Sequence, residues 1–345
     1  MTDAQETAVT IDVGFDMTPR PAVQLRRAVF VLALGACATL AAPGLPAQES
    51  ATTATAGSSV ATTRAEGAES FDTPEQAADA LVDAADRFDT VAFGRLLGPG
   101  QSDVVLSGDD AADRKRATAF AAQAREQKRI YIDPQKPTRA VLLIGREDWP
   151  CPMPIVKRHG KWSFDAAAGR VELRNRRIGG NELDAISVCR GFVEAQYEYA
   201  FRRREGFDVH EYAQRVIATP GKQDGLAWQN TDGSWSGPVG EHVAHAIAGG
   251  EFTKGEPYHG YYFRVLKKQG PAAQGGAMDY VVKGIMIGGF ALAAAPAEYG
   301  KTGFKTFMVS QAGIVYEKDL GPGTLQAFRK MESFNPDKSW APVPE

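Results

Sequence analysis

GYYFRVLKKQGPAAQGGAMDYVVKGIMIGGFALAAAPAEYGKTGFKTFMVSQAGIVYEKDLG, residues 260–321, decides the fold class. Apolar and aromatic runs of strand length alternate with glycine-marked turns, the pattern of a small antiparallel sheet. Turns are expected at Gly288-Gly289, from Gly300 to Gly303, and at Gly313. Gly300-Lys301-Thr302-Gly303 looks like the end of a phosphate-binding loop. Ala295 stands where that loop requires its earlier glycine, and Phe304 to Val309 reads as a strand where a helix should follow. The segment is therefore expected to be a hairpin turn.

Upstream of this stretch the pattern turns helical. Residues 238–247 predict a helix closed by Gly249-Gly250, and Glu211 to Ile217 predicts a short one. Between them lies GKQDGLAWQNTDGSWSGP, residues 221–238, a long loop carrying Trp228 and Trp235. Loops of that length in compact domains tend to be functional or mobile. Asn181 to Arg204 predicts the longest helix, capped by Asn181 and ending on Arg202-Arg203-Arg204, where positive charge suits the helix dipole.

Further back, Thr73-Pro74-Glu75-Gln76 is a capping box with proline at the first helical position. Ala77, Ala80, Leu81, Ala84 and Ala85 follow at helical spacing. Thr90 is expected to cap a second helix that stops at Gly98, and residues 110–126 predict a third. The period then changes to two. Ala140 to Ile144 reads as a strand, and Pro154 to Lys157 with Lys161 to Asp165 reads as a hairpin around His159-Gly160. Helices followed by hairpins give an α+β layout.

The N-terminus reads as a targeting segment. Arg20, Arg26 and Arg27 precede an apolar run from Ala28 to Ala42 and a Pro/Gly/Ala-rich break, the outline of a signal peptide with cleavage expected after Ala47. Leu34-Gly35-Ala36-Cys37 alternatively matches a lipoprotein processing site with Cys37 lipidated. The apolar run falls short of the roughly 18–20 residues that span a bilayer. Either Met1 or Met17 could be the start. The organisation expected is an extension and signal peptide over 1–47, a polar linker over 48–69, an α+β domain over 70–178, a connecting helix over 179–204 and an antiparallel-sheet domain over 205–345.

The balance of charge is slight, −3 overall, which gives no basic face for nucleic acid. With 3 cysteines the chain has neither a disulfide scaffold nor a zinc cluster. In an oxidising compartment Cys151 and Cys189 could pair, or they could be separate buried thiols. His242 and His245 share one helix face and could begin a zinc site, with His210 or His259 as a third ligand. Surface or packing histidines are the plainer reading. Gly233-Ser234-Trp235-Ser236-Gly237 fails as a nucleophile elbow because Trp235 occupies the serine position. Asp109, Asp110 and Asp113 are acids suited to a helix start. Candidate binding residues are Trp228 and Trp235 in the loop, with Tyr258 and Tyr261 at the edge of the sheet stretch.

Three resemblances add to this. The N-terminal half resembles the cystatin-like, NTF2-like class, on its helical start and its lysine-tryptophan hairpin. The runs Asn175 to Ala200, Thr219 to Trp228, Tyr258 to Gly321 and Phe334 to Trp340 resemble domain-of-unknown-function family 2950, found in envelope-directed bacterial proteins. That family implies no catalytic residues. The Tyr299-Gly300-Lys301-Thr302-Gly303 turn is similar to one in the C-terminal sheet of pilin-like and pseudopilin proteins. Those proteins place a long apolar assembly helix where this chain has a linker and a domain. The function expected is a non-catalytic envelope protein, in the periplasm or cell envelope, that binds or scaffolds a protein or a glycan. The alternatives are a cell-wall or glycan hydrolase and a pilin-like assembly factor. No cofactor and no nucleic acid are implied, and membrane contact is expected only through the signal peptide or a lipid anchor.

Overall fold

The computed structural model describes residues 67–201, 210–240, 244 and 256–344. The fold is α+β, and the chain divides into two compact units between Arg170 and Val171.

In the first unit, Thr73 caps α1 (Pro74–Arg87) with the expected box. Its hydroxyl accepts from the Gln76 amide, and the Gln76 side chain accepts from the Thr73 amide. α2 (Thr90–Leu97) is capped by Asp89 and not by Thr90. The Asp89 carboxylate accepts from the Ala92 amide at 2.9 Å, which places Thr90 inside the first turn. α3 (Asp110–Glu126) starts on Asp109, whose carboxylate accepts from the Ala111 and Ala112 amides. These helices bury Leu81, Phe93, Leu96 and Phe120.

An antiparallel sheet follows. Its strands are β1 (Lys128–Ile132), β2 (Arg139–Ile144), β3 (Trp149–Pro150), β4 (Ile155–Arg158) and β5 (Lys161–Phe164). They lie in the order β1-β2-β4-β5, with β3 paired to β2. The β4–β5 turn puts His159 at φ 50° and Gly160 at φ 82°, as a two-residue I′ turn demands.

α4 (Ala166–Phe201) is 36 residues long and corrects the sequence expectation that this helix starts at Asn181. Asp165 supplies the cap, accepting from the Ala168 amide at 3.0 Å. The helix then runs through Gly179-Gly180. Each glycine costs about 1 kcal/mol relative to alanine, which is why the sequence suggested a later start.

The second unit continues with a short hairpin of β6 (Trp228–Gln229) and β7 (Trp235–Ser236), then β8 (Tyr261–Leu266). Short ladders follow: β9 (Lys268–Gln269) with β10 (Met278–Asp279), and β11 (Val281–Val282) with β12 (Ile285–Met286). The main sheet is completed by β13 (Ala291–Pro296), β14 (Lys305–Ser310) and β15 (Val315–Asp319). After α5 (Thr324–Arg329), β16 (Ala341–Pro342) joins its edge. The order is β16-β15-β14-β13-β8, antiparallel throughout. Every residue of β13 is buried. Arg264 on β8 lies 5.4 Å from the Phe328 ring and donates to the carbonyls of Phe328, Arg329 and Met331, closing the C-terminal end of α5.

The helix expected over Glu211 to Ile217 is not formed. Those backbone groups bond elsewhere: Tyr212 donates to the Met286 carbonyl, Ala213 exchanges two bonds with the Gln196 amide, and Val216 accepts from Ala227. Residues 202–204, and most of the helix expected over 238–247, lie outside the described residues. Among the described residues no helix is long and apolar enough to cross a membrane.

Of the two alternatives for Cys151 and Cys189, a disulfide or separate buried thiols, the structure shows the second. Both are buried thiols, and they belong to different units. Cys189 is packed in the core of the second unit, and burial pushes its thiol up to about 12.

Candidate binding site at one end of the main sheet

Three side chains of α4 tie down two turns at one end of the main sheet. Asn181 donates to the Thr302 carbonyl at 2.9 Å. Glu182 accepts from the Phe304 and Lys305 amides at 2.8 and 3.1 Å. Asp184 accepts from His259 Nδ1 at 2.5 Å. The phosphate-loop lookalike is thus a clamped hairpin connection, as its sequence context required. Its own Thr302 accepts from the Glu298 amide at 3.0 Å.

The second turn is built from Tyr258 to Tyr261. The two tyrosines exchange backbone bonds of 2.9 Å in both directions. His259 and Gly260 between them have φ 45° and 75°, again a I′ turn. Gly260 is required for a further reason: a Cβ there would lie 2.7 Å from Thr302 Cβ and 2.8 Å from Asn181 Nδ2. The left-handed backbone at His259 projects an exposed ring that stacks on Tyr258, with centroids 4.2 Å apart and planes 24° apart. A carboxylate offers only acceptors, so Nδ1 carries the proton toward Asp184 and Nε2 is left as the ring's other hydrogen-bonding atom. The His259 side chain is 43% exposed and that of Asp184 27%. Phe304, exposed and edge-on to Tyr299 at 5.4 Å, adds aromatic surface at the same end of the sheet.

This arrangement is a stacked pair of rings with one of them locked by a half-buried carboxylate. It can present a flat, rigid surface to a ring-bearing or planar ligand, with Nε2 available for one directional bond. An imidazole oriented by a carboxylate is also the base half of a hydrolytic pair.

Of the residues singled out from the sequence, Tyr258 is the one that joins this site. Tyr261 is fully buried, and its hydroxyl donates to the Lys305 carbonyl at 2.9 Å. Burial first, then the charge of Glu182, raises its phenol well above the ordinary tyrosine value. Tyr261 therefore anchors the sheet and is corrected from surface to core. Trp228 is 8% exposed and belongs to the hydrophobic core, and Trp235 packs against that core half-buried. Part of the long loop is a short hairpin with Gln229 opposite Trp235. His242, His245 and Cys37 lie outside the described residues. The two histidines considered as third metal ligands are used otherwise: His210 Nδ1 meets the Ala200 carbonyl at 2.6 Å, and His259 meets Asp184. The sequence held a signal for the missed dyad. A His-Gly pair between two tyrosines marks a I′ turn that projects the histidine.

A family model described as a protein of unknown function (DUF2950) matches residues 68–343. The chain belongs to this family. No curated protein and no solved structure matches it. The DUF2950 region takes in both units, the whole clamp from Asn181 to Lys305 and the Tyr258–His259 stack.

Proposed function

We propose that this DUF2950 protein is exported to the cell envelope and binds a glycan there through Tyr258 and His259. The observation that carries the reading is the stacked Tyr258–His259 pair, fixed by Asp184 and by a turn that admits little rearrangement. Rigid aromatic surface loses little entropy on binding, and a single imidazole nitrogen adds direction. Export is supported by the basic residues Arg20, Arg26 and Arg27 ahead of the apolar run to Ala42.

The test is retention of the purified chain on isolated cell-wall glycan and on soluble oligosaccharides. His259→Asn is the informative variant, because asparagine tolerates left-handed backbone while removing the ring. Loss of one stacked ring and one directional bond predicts a drop in affinity of about tenfold. Unchanged retention in that variant refutes the site, and full-length protein confined to the cytoplasm on fractionation refutes export. The Asp184–His259 bond also favours a second reading, a glycan hydrolase with His259 as base. Release of reducing ends by the wild type and not by His259→Asn would choose it over simple binding.

A further inference from the structure

The two edges of the first unit's sheet are treated differently. At β5, Phe71 forms an antiparallel bridge with Trp162, exchanging backbone bonds of 2.7 and 2.8 Å. At the opposite edge, β1 pairs with β2, and among the described residues no strand lies on its other side. The register of β1 on β2 is unbroken over 5 residues, with no bulge and no proline to spoil the edge.

The ladder determines which backbone groups face outward. The Gly145 amide donates to the Gln127 carbonyl at 2.8 Å, so the pair just beyond β1 is a hydrogen-bonded one. Such pairs alternate along an antiparallel ladder, so Arg129 with Leu143 and Tyr131 with Val141 are hydrogen-bonded too. The carbonyls of Leu142 and Thr138 serve Cys151 and Lys157 on the far side of β2, which agrees. Lys128, Ile130 and Ile132 therefore turn their amides and carbonyls to the open edge. The two charges of the strand do not guard it, since the Lys128 ammonium is tied to Asp79 and Arg129 to Asp148 at 2.8 Å. Tyr131 and Ile132 add exposed apolar surface.

This edge is complementary to itself. Laid antiparallel on a second copy with Ile130 opposite Ile130, Lys128 meets Ile132, and every outward amide faces a carbonyl. Between these pairs Arg129 meets Tyr131 at the closely spaced positions, a cation against an aromatic ring. The two Lys128 side chains lie at opposite ends of the pairing, so no like charges face each other. A slip of one residue sets outward-facing residues against inward-facing ones, and a slip of two leaves one outward residue of each strand unpaired.

We propose that two copies of this chain associate through β1, antiparallel about a two-fold axis at Ile130, so that their sheets become one. The pairing uses both open edges and leaves none to recruit a third copy.

Sedimentation velocity of the full chain across the micromolar-to-millimolar range tests this, with a reversible monomer–dimer equilibrium expected. Residue-resolved amide exchange should show Lys128, Ile130 and Ile132 gaining protection with concentration, while Arg129 and Tyr131 are protected throughout. Tyr131→Lys sets a like charge against Arg129 at both symmetric positions and should raise the dissociation constant about tenfold. Tyr131→Glu sets an opposite charge there and should leave the dimer at least as tight. Ile130→Pro removes an amide that β2 does not use and should abolish the dimer. If that variant unfolds the unit, the two Tyr131 variants decide, because this side chain is exposed. A chain monomeric at millimolar concentration would overturn the proposal. So would a dimer affected equally by Tyr131→Lys and Tyr131→Glu, or edge amides protected at every concentration, the sign of another segment of the same chain on β1.

Discussion

Replacing Gly303 by alanine places the sharpest demand on the clamped end of the main sheet. A Cβ at Gly303 would sit 2.1 Å from the Tyr261 hydroxyl oxygen and 2.7 Å from its Cζ. Tyr261 cannot swing aside freely. It is fully buried, its ring lies 5.9 Å from that of Phe307, and its hydroxyl is held on the Lys305 carbonyl. Overpacking of this kind costs about 1–3 kcal/mol, and displacing the hydroxyl from its acceptor about 1 more, so the expected loss is about 2–4 kcal/mol. Tyr261→Phe alone should cost about 1 kcal/mol. In the double variant the 2.1 Å contact disappears while the 2.7 Å contact to Cζ stays. The double loss should therefore fall short of the sum by about 1 kcal/mol. Urea unfolding of the full chain measures the losses, and amide exchange on β8 and β14 localises them. A Gly303→Ala variant within about 0.5 kcal/mol of the wild type, or strict additivity with Tyr261→Phe, would refute the packing argument.

Alkaline pH should destabilise the second unit. Burial raises the Cys189 thiol from 9.0 to about 12, the Tyr280 phenol from 10.0 to about 12, and the Tyr261 phenol above its ordinary 10.0. The unfolded chain releases these protons first, so their contribution is intact below pH 9.0 and is lost as pH rises toward about 12. Urea midpoints from pH 7 upward should stay level and then fall, and Tyr261→Phe should make the fall above its ordinary 10.0 less steep. In the first unit, the buried Asp113 carboxylate accepts from the Ser107 amide and hydroxyl and from the half-buried Arg116, so Asp113→Ala strands all three donors and should cost about 3 kcal/mol by urea unfolding. A loss under about 1 kcal/mol would mean that water reaches the guanidinium freely.

Local chemistry made much of the fold legible. The Thr73–Gln76 box, the Asp109 start of α3, the His159-Gly160 turn and the glycine punctuation of the main sheet are each decided by neighbours in sequence, and each stands in the structure. What escaped depended on distant partners. Lys128 to Ile132 has no clean alternation because the strand is mostly exposed, and it exists through pairing with β2. Residues 211–217 have helical spacing but give their backbone bonds to Gln196, Met286 and Ala227. The candidate site was half-legible. Tyr258 drew notice as an edge aromatic, whereas the pairing of His259 with Asp184, 75 residues earlier, exists only once α4 lies on the sheet. The aromatic character of Trp228 suggested a surface, and burial assigned it to the core.

The composition of β13 has a bearing on misassembly. Ala291-Leu292-Ala293-Ala294-Ala295-Pro296 is the penultimate strand of a five-stranded sheet and is buried throughout, yet alanine is a poor strand former and proline a worse one. Its conformation is imposed by β8 on one side and β14 on the other. Before those neighbours arrive, the segment has little tendency to template a cross-β stack with other chains, which takes strong strand propensity and no proline. The sheet thus keeps close to its centre a segment that is a strand only in the right company, and a chain caught half-folded exposes there a poor seed for aggregation.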